Sequence, residues 1–122
     1  MPKKKVLFIE DDVDSANVLT RALNFKGYES VWAADGQSGL EQYAEVQPDI
    51  LLVDINLPDI DGLDIVQRLR AEGQRLPIVA ITARAFNRQP AFDAGCDAFM
   101  TKPISVHELF RLMEQLLASS AS

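Results

Sequence analysis

Four short apolar segments of this chain run straight into polar residues that could act together. Val6–Ile9 is followed by Glu10-Asp11-Asp12, Ile50–Val53 by Asp54, Ile78–Ile81 by Thr82, and Ala98–Met100 by Thr101-Lys102-Pro103. Carboxylates brought close repel one another and raise each other's pKa unless a cation joins them. A few hard oxygen ligands, with positions left open for water and phosphate, suit Mg²⁺ or Mn²⁺. A divalent cation beside a carboxylate and an ammonium group forms surroundings fit for the negative oxygens of a phosphoryl group. A carboxylate can itself be the nucleophile and end as an aspartyl phosphate. Asp54 is the candidate acceptor, because it closes what reads as the most buried strand and lies between the first acid cluster and the Thr82 hydroxyl. Taken singly, each acid passes for a solubilising loop residue. Their joint placement with Thr82 and Lys102 at four strand ends is what points to a site.

The elements that must position these residues follow from periodicity. A short apolar run followed by an amphipathic stretch occurs five times, the runs being Val6–Ile9, Ser30–Ala33, Ile50–Val53, Ile78–Ile81 and Ala98–Met100. Ile50–Val53 and Ile78–Ile81 are apolar at every position, as strands covered on both faces of a parallel sheet require. The stretches between carry helical spacing. Val18, Leu19, Ala22 and Leu23 form the first face, ending before Gly27. Leu40, Tyr43 and Ala44 form the second, with Asp35 as N-cap and Pro48 beyond its stop. Leu63, Val66 and Leu69 form the third. In the last, a Ser105-to-Glu108 capping box precedes Leu109, Leu112, Met113 and Leu116. The fourth stretch, Arg84 to Ala94, is interrupted by Pro90. Strands alternating with helices imply parallel pairing, right-handed crossovers and an open α/β sheet with helices on both faces. Sites in such sheets form outside the carboxyl ends of the strands.

Composition narrows the function classes. A chain of 122 residues with 48% hydrophobic and 25% charged residues reads as a single domain over 1–122, with residues 1–4 and 119–122 as flexible ends. The net charge of −6 argues against direct nucleic-acid binding by this domain. Cys96 is the only cysteine, which excludes an intrachain disulfide and a Cys-rich zinc site. No apolar run approaches the ~18–20 residues of a membrane span, and no secretory pattern precedes Val6, so the expectation is a cytoplasmic protein.

In order and spacing these residues resemble the receiver domain of two-component response regulators, from Val6 to about Leu117. The resemblance rests on Leu7-Phe8-Ile9-Glu10-Asp11-Asp12, on Leu52 through Gly62, on Ile81-Thr82-Ala83 and on Lys102-Pro103. It implies a (βα)5 doubly wound, flavodoxin-like sheet of strand order 2-1-3-4-5. It also implies roles. Asp54 accepts the phosphoryl group. Glu10 and Asp11 hold Mg²⁺, Asp11 the more directly, and Asn56 offers its backbone carbonyl. Thr82 and Lys102 each meet a phosphoryl oxygen, and Pro103 follows a cis peptide that aims Lys102. Phe99 is the switch aromatic that turns inward as Thr82 moves. Asn56 and Arg84 flank the path of the hydrolytic water and so set the phosphoryl lifetime. The donor is a histidine kinase or a histidine phosphotransfer protein, and the domain acts as a signalling switch rather than an enzyme with turnover.

Other residues carry plainer readings. Asp12 and Asp14 are candidate caps of the first helix, Asp14 foremost. Pro58, Asp59, Asp61 and Gly62 are turn formers. Thr101 ends a strand, His107 is a surface helix residue and Cys96 is a small buried residue. Lys3-Lys4-Lys5 is a solvated tail. Trp32 alternates outward if Val31 and Ala33 point inward, as either an interface anchor or a partly covered edge.

The chain departs from the family between Thr82 and Gly95, which is about two residues short and contains Pro90. The fourth helix is therefore expected to be short or irregular. This unsettles the usual output surface for a downstream protein or a homodimer, with Phe86 and Phe92 free to fill core or meet a partner. Nothing after Leu117 reads as a further domain, so a stand-alone regulator, a phosphorelay carrier and a receiver from a hybrid kinase remain open. The alternatives in function are a phosphorylation-independent interaction module and a small-substrate phosphatase. The first has no need of all five of Glu10, Asp11, Asp54, Thr82 and Lys102. The second lacks a carboxylate at position 56 and a cap domain.

Overall fold

The computed structural model describes residues 3–83 and 88–120. Strands and helices alternate along them as β1 (Lys5–Ile9), α1 (Val13–Lys26), β2 (Glu29–Ala33), α2 (Gly36–Val46), β3 (Ile50–Asp54), α3 (Gly62–Ala71), β4 (Ile78–Thr82), α4 (Arg88–Ala94), β5 (Ala98–Thr101) and α5 (Val106–Ser120). The five strands pair in parallel in the order β2-β1-β3-β4-β5. Chain order reverses between β1 and β3, so the ends of these two strands flank the switch point where such sheets bind ligands.

Alternation along each strand sends side chains to two separate cores. Leu7, Ile9, Leu51, Val53, Ile78 and Ala80 pack with Ile65, Val66 and Leu69 of α3 and with Ala91 and Ala94 of α4. Leu40 and Tyr43 bring α2 to the same face. Val6, Phe8, Ile50, Leu52, Val79 and Ile81 pack with Leu19 and Leu23 of α1 and with Leu109 and Met113 of α5. Every residue of β3 and β4 is buried, as their unbroken apolar runs require.

Several helix details differ from the linear reading. The α1 core face is Ala16, Leu19 and Leu23, whereas Val18 is 62% exposed. In α2 the buried positions are Gly36 and Gly39, and Ala44 is exposed. The N-cap of α1 is Asp12, whose carboxylate accepts the Ser15 amide at 3.1 Å and the Ser15 hydroxyl at 2.6 Å. Asp14 lies inside the first turn, where its charge favours the positive helix end. Helix α5 runs to Ser120. Helix α4 is short, at seven residues. Pro90 is its third residue, in the first turn, where a missing N–H leaves no ladder bond unmade. Arg84 and Phe86 lie outside the described residues.

Two glycines set turns of the fold, Gly27 between α1 and β2 at the end of the sheet away from the site, and Gly62 in the β3–α3 loop that carries it. Gly27 ends α1 at φ 97°, a left-handed conformation that favours glycine. Gly62 opens α3 against β3: its amide donates to the Ile55 carbonyl at 2.9 Å, and a Cβ there would collide with the Asp54 carbonyl oxygen and come within 2.8 Å of Ile55 Cα. Gly62→Ala should therefore destabilise the fold by ~1–3 kcal/mol, the usual cost of overpacking against backbone. A urea unfolding midpoint equal to that of the unaltered chain would refute this contact.

Candidate functional site

The strand ends converge as the topology demands. Glu10 follows β1, Asp54 closes β3, Thr82 closes β4, and Lys102 follows β5. Glu10, Asp54 and Thr82 are the buried polar residues at this edge, at 6%, 5% and 0% exposure. The Lys102 ammonium donates to Glu10 Oε1 at 2.6 Å and to Asp54 Oδ2 at 2.8 Å. Its amide donates to the Thr82 carbonyl at 2.7 Å, so the loop after β5 is stitched to the end of β4. The Lys102–Pro103 peptide is cis.

Asp54 is held on its other oxygen as well. The Asn56 amide donates to Asp54 Oδ1 at 2.8 Å, and the Asn56 side-chain amide donates to Thr82 Oγ1 at 2.8 Å. Asn56 thus bridges acceptor and hydroxyl. Glu10, Asp11 and Asp54 each offer a carboxylate oxygen, and these oxygens all lie within 4.8 Å of one another. Asp11 is exposed, so the cluster opens to solvent on one side. Three hard oxygen donors beside an open face fit a divalent cation that keeps part of its water shell.

The charges have settled unequally. Burial pushes the Glu10 carboxyl up to about 7, contact with Asp54 adds to the rise, and Lys102 opposes it. Burial alone would also raise Asp54, but hydrogen bonds with Glu10, Lys102 and the Asn56 amide outweigh it and hold the carboxyl below its ordinary value. Burial works against charge on Lys102, yet its hydrogen bonds to Asp54 and Glu10 prevail and raise its pKa. Asp54 is therefore the anionic member of the pair and Lys102 a firm cation.

Most sequence candidates meet here: Glu10, Asp11, Asp54, Asn56, Thr82 and Lys102. Phe99 stands one strand away, half-buried against the α2–α3–α4 core and in register with Ala80. Thr101 ends β5, His107 is exposed and Cys96 is buried. Three contacts were not legible in the sequence. The Asn56 side chain reaches Thr82 across two strand ends. Asp59, read only as a turn former, accepts the Gly36 and Gln37 amides at 2.8 and 2.9 Å and caps α2 from the β3–α3 loop. The Trp32 indole on β2 donates to the Glu10 carbonyl at 2.7 Å. No spacing rule signals contacts between elements far apart in sequence.

Beside Glu10, Asp54 and Lys102 runs a groove of about 560 Å³, walled by Val18 of α1, by Ile104 and by Val106, the first residue of α5. Among the described residues, no helix is long and apolar enough to cross a membrane.

The family model of the response regulator receiver domain matches residues 6–114. The chain is 36% identical over 119 residues to the transcriptional regulatory protein TrcR of Mycobacterium tuberculosis, covering 96% of this chain and 46% of that protein. It is 38% identical over 115 residues to the response regulator MprA of Mycobacterium ulcerans, covering 93% and 50%. The chain thus spans about half the length of the curated relatives it matches. Among solved structures, a CheY-like receiver domain from Methanospirillum hungatei superposes with a TM-score of 0.91 at 26% identity, covering 97% of this chain and 96% of that one. With its five-stranded parallel sheet, its acid cluster and its lysine at the closing strand end, the chain belongs to the response regulator receiver domains, the phosphoryl-accepting signalling domains of two-component systems.

Proposed function

We propose that this domain takes a phosphoryl group onto Asp54 from a phosphohistidine of a histidine kinase or histidine phosphotransfer protein, and so acts as a switch for a downstream protein. One arrangement carries the reading: an anionic Asp54 held on one oxygen by Lys102 at 2.8 Å and on the other by the Asn56 amide at 2.8 Å, beside two further carboxylates. Glu10, Asp11, Asp54 and the Asn56 backbone carbonyl would hold Mg²⁺ or Mn²⁺. The cation supplies positive charge for phosphoryl oxygens.

An Asp54 oxygen attacks phosphorus in line with the histidine nitrogen. The O–P bond forms as the N–P bond breaks, and the imidazole leaves with the electron pair. Lys102 turns its ammonium from Asp54 to a phosphoryl oxygen. The Thr82 hydroxyl turns to another, away from the Asn56 amide that it now accepts. Phe99 follows Thr82 inward, and partners read the altered face. Pro103 holds Lys102 aimed at the site. Asn56 and Arg84 govern the access of hydrolytic water.

The groove at the site supports donor docking there. A donor must reach Asp54, and Val18 of α1, which lines that groove, stands 62% exposed. On the other side, Phe92 of the short α4 is 44% exposed and supports a protein contact for output.

Intact-mass spectrometry after incubation with acetyl phosphate and Mg²⁺ should show one phosphoryl adduct, lost in Asp54→Asn and on chelation. No adduct and no beryllofluoride binding by the folded chain would overturn the switch reading. Asn56→Met should lengthen the adduct's lifetime roughly threefold or more, since added bulk screens Asp54 from water. An unchanged decay rate counts against that role. Metal affinity should also depend on pH. Glu10 keeps its proton up to about pH 7, and a proton must leave before a carboxylate ligates. Mg²⁺ affinity measured by calorimetry should climb by up to about tenfold per unit as pH rises towards 7, then level off. Glu10→Gln should flatten the profile, and a flat profile in the unaltered chain would show that no proton leaves Glu10 when the metal binds.

A further inference from the structure

Trp32 lies on β2, outside the cluster of acids, yet touches the backbone that carries two of them. Its indole N–H donates to the Glu10 carbonyl oxygen at 2.7 Å. On the other side of the same residue, the Glu10 amide donates to the Ala33 carbonyl at 3.0 Å. β2 therefore grips Glu10 at both its amide and its carbonyl, just where β1 ends and the chain leaves the sheet. The held carbonyl belongs to the peptide that joins Glu10 to Asp11. That unit is planar, so holding its oxygen restrains where the Asp11 Cα lies and narrows the positions open to its carboxylate. Asp11 is the exposed acid of the cluster and the one with least packing to orient it. Trp32 is in register with Phe8, whose ring is buried, so the indole is seated by its strand rather than by a loop.

We infer that Trp32 is a positioning residue for the cation site: through the Glu10–Asp11 peptide it presets the carboxylates that receive the metal. The inference rests on the metal reading proposed above. It also follows that the indole, at 37% exposure, reports on the site optically, because Trp32 is the only tryptophan of the chain. Preorganising a ligand peptide raises affinity by removing the cost of ordering it on binding.

The test compares the full 122-residue chain with Trp32→Phe, which keeps an aromatic ring, and with the same chain carrying benzothienylalanine at position 32. The latter has the shape of tryptophan without the N–H. Mg²⁺ alone is the probe, titrated by calorimetry and, in the unaltered chain, by Trp32 fluorescence. Unfolding midpoints are measured without metal. Loss of one neutral hydrogen bond should weaken Mg²⁺ binding about threefold to tenfold in both altered chains. The benzothienylalanine chain should stay folded with a somewhat lower midpoint, because the Glu10 carbonyl loses its donor, and Trp32 fluorescence in the unaltered chain should saturate at the calorimetric dissociation constant. Equal Mg²⁺ affinity in the unaltered and benzothienylalanine chains would overturn the inference, whatever the midpoints, since a purely structural tryptophan moves stability alone. Fluorescence that ignores a titration visible by calorimetry would overturn it as well. If the unaltered chain itself binds no Mg²⁺, the metal reading fails first and takes this one with it.

Discussion

The Lys102 ammonium sits between two carboxylates that water scarcely reaches, 2.6 Å from Glu10 and 2.8 Å from Asp54, and the architecture around it follows from that contact. Buried acids on adjacent strands repel, and their desolvation is unfavourable unless a cation and hydrogen bonds answer it. Lys102 must therefore return from the far end of the sheet to the gap between β1 and β3. The amide bond from Lys102 to Thr82 fixes where that return begins. Even so the compensation is incomplete, since one ammonium faces several carboxylates. Glu10 answers by keeping its proton to about pH 7, while Asp54 stays anionic. A cation that binds here on Glu10 must therefore displace the Glu10 proton.

Around this centre, two loops are held by elements to which they do not belong. The β1–α1 loop is held by β2, through the Trp32 indole and the Ala33 carbonyl. The β3–α3 loop is held by the start of α2, through Asp59, and by its own contact of Gly62 on Ile55. The opposite edge of the sheet has its own clamp, where Arg70 of α3 bonds the carbonyls of Gly95, Gln74 and Leu76 and the carboxylate of Asp97. Loops so anchored lose little entropy when a ligand arrives, because most of the ordering is already done. Thr82 is placed differently. Its hydroxyl accepts from Asn56, a bond between two side chains that a stronger acceptor such as a phosphoryl oxygen can displace.

The apolar surface is divided in the same way. Helices α1 and α5 cover one face and α2, α3 and α4 the other. Val18 was expected in the core and instead walls the groove beside Asp54. A helix of fourteen residues has more apolar positions than a flat sheet can cover, and the surplus faces outward. Where the surplus lies next to the site, it becomes a surface for something else.

The linear order of residues by itself determined the strands, the helices and the polar residues at the strand ends. Period-two and period-3.6 patterns are local, and Ile50–Val53 or Leu109–Met113 declare their state without neighbours. Parallel pairing followed from alternation, and from it the convergence of Glu10, Asp54, Thr82 and Lys102 at one edge. Local patterns were weaker at choosing among equivalent residues: Asp12 rather than Asp14 caps α1, because only the first stands where free amides begin. What tertiary structure alone decided are the contacts between separate elements: Trp32 on Glu10, Asn56 on Thr82, Asp59 on α2. Each is a hydrogen bond between side chain and distant partner, dependent on angles and a few tenths of an ångström. The division of charge between Glu10 and Asp54 was also decided there, since it turns on burial and on which oxygen meets the ammonium, and neither is a property of spacing.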